Sequence, residues 1–221
     1  MPRITAIRRH LRRERVRLYV EGDDEPRAEL ALDLVLRAGL APGDELGERA
    51  LEELLREDES FRARDAALSL LSHRARSRAE LRRRLGAKQI SAGVVDRTVE
   101  WLVSLGYLDD AGFADAFIRD RLRLRPRGRM GLLSELRRKG VDERTAAAAI
   151  DRVLEAEGVD ELALARDAAE AWARKNRTVV RKAAGSREHR QRARRRLYGH
   201  LARRGFAPDA VVAGIDRVLG D

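Results

Sequence analysis

A segment that returns within its own chain restricts the possible folds more than any bulk property, and Leu136–Leu154 returns 65 residues later as Leu201–Leu219. Nine of the nineteen positions are identical, among them Gly140/Gly205 and the run Ile150–Leu154/Ile215–Leu219. A more worn copy lies 51 residues upstream at Leu85–Val103, where Leu85, Lys88, Ile90, Val99, Leu102 and Val103 replace Leu136, Lys139, Val141, Ile150, Val153 and Leu154. Units this short cannot bury an apolar face alone, so three of them predict an array whose cores form together.

The internal periodicity identifies each unit. Ala146, Ala149, Ile150, Val153 and Leu154 fall at i, i+3, i+4, i+7 and i+8, one apolar face of a helix. The last copy repeats this with Val211, Gly214, Ile215, Val218 and Leu219. Ahead of it, Leu132/Leu136, matched by Leu81/Leu85 and Leu197/Leu201, mark a second helix. Gly140 and Gly205 stand where that helix must stop, the position at which a left-handed backbone costs glycine least. A further apolar-periodic segment precedes each pair, so the unit is three helices. Ser77-Arg-Ala-Glu80 is a capping box, Ser91 is expected to cap the next helix, and Pro126 ends another before the connection Arg127–Gly131.

The first residues read differently. Ile4–Ile7 and Val16–Val20 alternate at period two, with a turn at Gly22-Asp-Asp24 and either a third strand at Glu29–Leu32 or a helix through Leu36. After the break at Gly39–Gly43, a helix from Glu48 leads into the array and can run on past Phe61. The expectation is a mostly α fold, a tandem array of three three-helix repeat units behind a small β-containing N-terminal region. Its parts are residues 1–60 (strands and helix), 61–110 (repeat one), 111–159 (repeat two) and 160–221 (repeat three).

Charge is unevenly placed along these parts. The whole chain carries +10, but residues 1–60 sum to −4, 61–110 to +4, 111–161 to +1 and 162–221 to +9. Concentrated charge of one sign serves an anionic partner. The absence of cysteine excludes disulfide scaffolds and thiolate chemistry and fits a reducing cytoplasm. No apolar run is long enough to span a bilayer, and the Arg-rich start lacks a signal-peptide apolar stretch, so a cytoplasmic protein with no membrane contact is expected.

Three motifs, Ser77-x-x-Glu-Leu81, Gly106-Tyr-Leu-Asp-Asp110 followed by Phe113-Ala114, and Glu135-Leu-x-x-Lys-Gly140, resemble those of the RecX family. The resemblance is dense over residues 61–155 and looser through 221. Such proteins are regulators of the RecA recombinase built from tandem three-helix units, some with a small β-containing extension. The resemblance therefore implies non-enzymatic control of the RecA–DNA filament: restraint of its growth, ATP hydrolysis and strand exchange, and through them of recombinational repair and the SOS response. Gln89 departs from the pattern, standing where the other copies and the family favour glycine, which predicts a weaker helix stop in repeat one.

No candidate for catalysis emerges. Asp109-Asp110 reads as an N-cap and first-turn pair rather than a metal or acid site, because nothing nearby has the spacing to complete one. His10, His73, His189 and His200 show no ligand spacing, and Trp101 and Trp172 lie on apolar faces. No cofactor or metal is implied. The strongest constellation is Arg174–Arg204, with thirteen basic residues against Glu188. Within it, Arg187, Arg190 and Arg194 make a stripe at i, i+3 and i+7, flanked by Arg192, Arg195 and Arg196. Arg174, Lys175, Arg181 and Lys182, read as the connection before that helix, and Arg203 and Arg204 after it, complete the candidate partner- and DNA-binding set. Single- and double-stranded DNA are the expected ligands of the third repeat, and the protein is expected to act as a monomer. A helix-turn-helix reader of operator DNA and an adaptor of RNA–protein particles are the alternatives.

Overall fold

The structure is a computed structural model in which residues 1–10 and 14–220 are described. Three strands, β1 (Ile4–Arg9), β2 (Arg15–Val20) and β3 (Ala28–Ala31), form an antiparallel sheet in the order β1-β2-β3. Ile4 pairs with Val20, and Leu18 with Ala28. Alternation works as read: Val16, Leu18, Val20 and Leu30 are buried on one face, where Leu34, Val35, Leu46 and Leu51 meet them. Both expectations for residues 29–36 are met in part, since β3 runs directly into α1 (Leu32–Arg37).

The expected boundary at residue 60 falls inside one helix. Nothing in Glu48–His73 can break a helix, for it contains neither glycine nor proline, and it forms a single 26-residue α2. One helix thus serves both the sheet and the array. Its Asp58 carboxylate, 5% exposed, accepts hydrogen bonds from the Ala31 amide at 2.7 Å and from Arg15 at 2.9 and 3.1 Å, while Arg15 also donates to Glu29 at 2.9 Å. A charge removed from water is tolerable only when paired in this way.

The remaining helices are α3 (Arg78–Gly86), α4 (Ala92–Ser104), α5 (Asp110–Leu124), α6 (Arg129–Arg138), α7 (Glu143–Ala156), α8 (Glu161–Lys175), α9 (Arg177–Gly185), α10 (Arg187–Ala202) and α11 (Pro208–Leu219). They fall into two compact bodies, Met1–Arg74 with Leu81–Tyr107, and Ala75–Glu80 with Leu108–Asp221. In the first, Glu59 of α2 accepts both the amide and the hydroxyl hydrogen of Ser91 at 2.6 and 2.9 Å. Ser91 therefore occupies the N-cap position of α4, but its side chain ties α4 to α2 instead of capping it.

All three copies end their second helix alike. Gly140 and Gly205 have φ of +80° and +74°, and Gln89, despite its side chain, has +60°. In each case the amide donates back to the helix, to Arg137, Ala202 and Gly86 carbonyls, all at 2.9 Å, and a buried apolar residue follows: Val141, Phe206 or Ile90. The helix stop in repeat one is thus retained, contrary to the weakening that Gln89 predicts, because tertiary burial of Ile90 holds a backbone that glutamine alone disfavours. Gln89→Gly should consequently raise stability by about 1 kcal/mol in a urea melt, since it relieves left-handed strain at a small cost in unfolded-state entropy.

The second body contains a junction used twice. The amide of Arg78, at the start of α3, donates to Asp110 at 2.8 Å, and that of Arg129, at the start of α6, donates to Glu161 at 3.2 Å. Donors and acceptors are both displaced by the 51-residue repeat. At the first junction, Ser77 Oγ accepts from the Glu80 amide at 3.1 Å and donates to the Lys139 carbonyl. At the second, the Gly128 and Met130 amides donate to the Arg204 and Gly205 carbonyls at 3.1 and 3.2 Å. Helix N-termini leave such donors unsatisfied, and the turn of the next repeat accepts them. Arg129, Met130 and Gly131, expected in a connection, are therefore the first turn of α6.

Candidate nucleic-acid interface

The third repeat is held by a close crossing of α8 and α11. A methyl group on Gly214 would lie 2.9 Å from the Ala165 carbonyl oxygen, so the two backbones approach as only small residues allow. Around this crossing Ala168, Ala169, Trp172, Leu197, Leu201, Phe206, Val211 and Ile215 form one core. Arg181 and Lys182 are on a helix, α9, which makes four helices in this repeat where three are expected. Val179, Val180 and Ala183, at i, i+1 and i+4, give α9 an apolar side short enough to pass for a linker, and Asn176 joins it to α8 by donating to the Trp172 carbonyl at 2.8 Å.

α10 buries Ala193, Leu197 and Leu201, and this fixes where every arginine on it points. Arg190 precedes Leu197 by seven residues, two helical turns, and is drawn to the core side and half-buried. Arg194 donates to the Gly220 carbonyl at 3.1 Å and to Asp216 at 3.4 Å. Of the stripe read from spacing, Arg187 is exposed, while Arg190 and Arg194 are half-buried. Arg192 is engaged by Glu188. Arg195, Arg196 and Arg203 are exposed with no carboxylate in reach among the described residues, as are Lys175, Arg181 and Lys182. Arg174 is exposed 3.9 Å from Glu170.

Positive potential gathers at the end of α10. Burial, with Arg204, Arg203 and Lys175, pushes the His200 imidazole below its ordinary value, so it is neutral at neutral pH. Burial together with Arg127 and Arg125 likewise lowers Arg204, whose guanidinium reaches the Pro126 carbonyl at 3.5 Å. Arg125 is exposed and adjoins this cluster, although the sequence reading did not include it. Arg127 and Arg121, by contrast, share one carboxylate partner, the buried Glu135, 2.7 and 2.6 Å away.

Elsewhere, residues singled out for chemistry have structural work. Asp109 caps α5 by accepting from the Ala111 and Gly112 amides, both at 2.9 Å, and Asp110 serves the first junction. Trp172 is in the core, and Trp101 is half-buried with Arg64 over its ring at 4.8 Å. Among the described residues no cluster of His, Asp or Glu could hold a metal ion, and no helix is long and apolar enough to cross a membrane.

Fold and site together define a tandem helical-repeat protein whose last repeat carries a set of exposed, unpaired cations. Residues 63–102 match the family model of the first three-helix domain of RecX, and residues 109–150 that of the second. The chain is 37% identical over 152 residues to the regulatory protein RecX of Thermobifida fusca, covering 68% of this chain and 75% of that one. It is 35% identical over 150 residues to that of Corynebacterium efficiens, with 68% of each covered. A crystal structure of a regulatory protein RecX superposes with a TM-score of 0.65 at 19% identity, covering 98% of this chain and 99% of the other, a likeness of fold. The chain belongs to the RecX family of regulatory proteins, and its own role is regulatory.

Proposed function

We propose that this regulator binds the RecA–DNA filament, without catalysis of its own, and restrains filament growth, ATP hydrolysis and strand exchange, and with them recombinational repair and SOS signalling. It acts as a cytoplasmic monomer and takes no cofactor. The observation that carries the reading is the concentration of exposed, unpaired cations on α9 and α10 of one repeat in a chain of this family. Phosphates of single- or double-stranded DNA are their partners, and association is driven by counterion release. The candidate set Arg174, Lys175, Arg181, Lys182, Arg187, Arg190, Arg192, Arg194, Arg195, Arg196, Arg203 and Arg204 stands in this proposal, with the heaviest share assigned to Arg187, Arg195, Arg196 and Arg203. Repeats one and two, at +4 for residues 61–110 and +3 for residues 111–159, offer mixed-sign faces suited to the recombinase itself.

Two contacts from one chain reinforce each other through effective concentration. Affinity for the assembled filament should exceed that for bare DNA or free RecA by 10-fold or more, on the order of 10²–10⁴ where geometry allows both at once. Binding to bare single-stranded DNA, free RecA and filaments at one salt concentration, with filament ATPase measured alongside, tests this. Equal affinity for bare DNA and filament with ATPase untouched would leave only a general basic nucleic-acid binder, and preference for operator-like DNA would favour the helix-turn-helix alternative.

A further inference from the structure

Four aromatic rings among the described residues carry an arginine over one face. Arg8 lies over Tyr19 at 4.8 Å, Arg37 over Phe61 at 4.9 Å, Arg64 over Trp101 at 4.8 Å and Arg121 over Phe117 at 4.5 Å. Tyr198, like Tyr107, has no such cover among the described residues. It sits on α10, in the most arginine-rich part of the chain, and is 51% exposed with no ring or guanidinium against it among the described residues. The other exposed aromatic among the described residues, Tyr107, lies beside Asp109 and Asp110, in acidic surroundings. Tyr198 follows Arg187 by eleven residues, Gln191 by seven and Arg194 by four, so all share one line along the helix, with Arg195 three residues before it at the edge. An uncovered ring on an arginine-lined face has the composition of a single-strand platform: cations follow the phosphates while the ring takes a base.

From this juxtaposition we infer that Tyr198 is a base-stacking residue, which makes the third repeat a reader of unpaired nucleotides ahead of duplex. The inference rests on the reading that α10 contacts phosphates. In a duplex each base is already stacked and paired, and a ring standing on a helix surface meets only sugar and phosphate edges. In a single strand the base face is free, and every base offers one, so the preference is for strandedness and not for sequence. The phenol hydroxyl has no part in stacking, and phenylalanine should replace it.

The test uses the full chain, with a thymidine oligomer and a hairpin duplex of equal charge as probes, each titrated at several salt concentrations. Tyr198→Ala should weaken oligomer binding about 5- to 150-fold, the range measured for losing one base stack, and leave duplex affinity and both salt slopes as in wild type. Tyr198→Phe should bind as wild type. An unchanged melt for Tyr198→Ala keeps loss of fold apart from loss of contact, as expected for an exposed side chain. Equal loss on both probes, or none on the oligomer, would overturn the stacking role while salt-dependent binding by the wild type kept the phosphate reading intact. Wild-type binding without salt dependence would overturn that reading, and the stacking role with it.

Discussion

Gly205→Ala should destabilise the second body by about 3–5 kcal/mol, the largest effect expected of any single methyl group in this chain. Two causes add. At φ +74° an L side chain costs about 1–2 kcal/mol before any contact is considered. The added methyl would also lie 2.0 Å from the Gly131 amide nitrogen, and backbone there cannot rotate away as a side chain would. Moving it sacrifices the Gly128–Arg204 and Met130–Gly205 hydrogen bonds, worth about 1 kcal/mol each. Gly140→Ala makes a sharp comparison: its φ is +80°, yet its methyl meets the Ala79 side chain, at 2.3 Å. Adding Ala79→Gly should therefore recover most of the contact penalty at Gly140 and leave only the backbone term. No such partner exists for Gly205, because its neighbour is already glycine. Urea melts followed by circular dichroism decide the matter; equal midpoints for Gly205→Ala and wild type would mean that the second junction does not form.

That junction also marks where sequence reasoning stops. The repeat, its glycine turns and the alternating strands are legible because each is a local choice: a period, a φ, a pleat. The facing of Gly131 and Gly205 is not local, since each glycine makes sense only beside the other, 74 residues away, and Gly128–Gly131 taken alone reads as a linker. Gln89 shows the same limit from the other side, its left-handed backbone being held by burial of Ile90 against its own preference. α9 escaped because three small apolar residues are a weak periodic signal in nine, and tertiary packing completes the helix. In the candidate interface the excess of cations was legible and their availability was not. Arg190 reads as part of a stripe until Leu197 fixes the inward direction, and Arg194 reads as free until Asp216, 22 residues on, is folded against it.

Availability, not number, sets the salt dependence. Changing Arg187, Arg195, Arg196 and Arg203 together to Gln should reduce the slope of log K against log salt by about 3.6 on duplex and about 2.8 on single strands, 0.9 and 0.7 per lost phosphate contact. A fourfold rise in salt would then cost the variant about 150-fold less duplex affinity than it costs the wild type. The control is the pair Arg192→Gln and Arg194→Gln. Arg192 is engaged by Glu188 and Arg194 by Asp216, so each brings less net charge to a phosphate and must give up an intramolecular partner to bind one. Its slope should fall by well under half as much per residue. Surface pairs such as Arg192–Glu188 contribute about 0–1 kcal/mol to folding, and the Arg194–Asp216 pair is only part-buried, so neither variant should melt far from the wild type. If the double variant flattens the slope as steeply per residue as the quadruple one, the ion pairs do not hold in solution and every arginine of α10 counts alike. If the quadruple variant keeps the wild-type slope, these four side chains meet water alone, and the phosphate track must run elsewhere, with Arg125 and the cluster around Arg204 the next residues to neutralise.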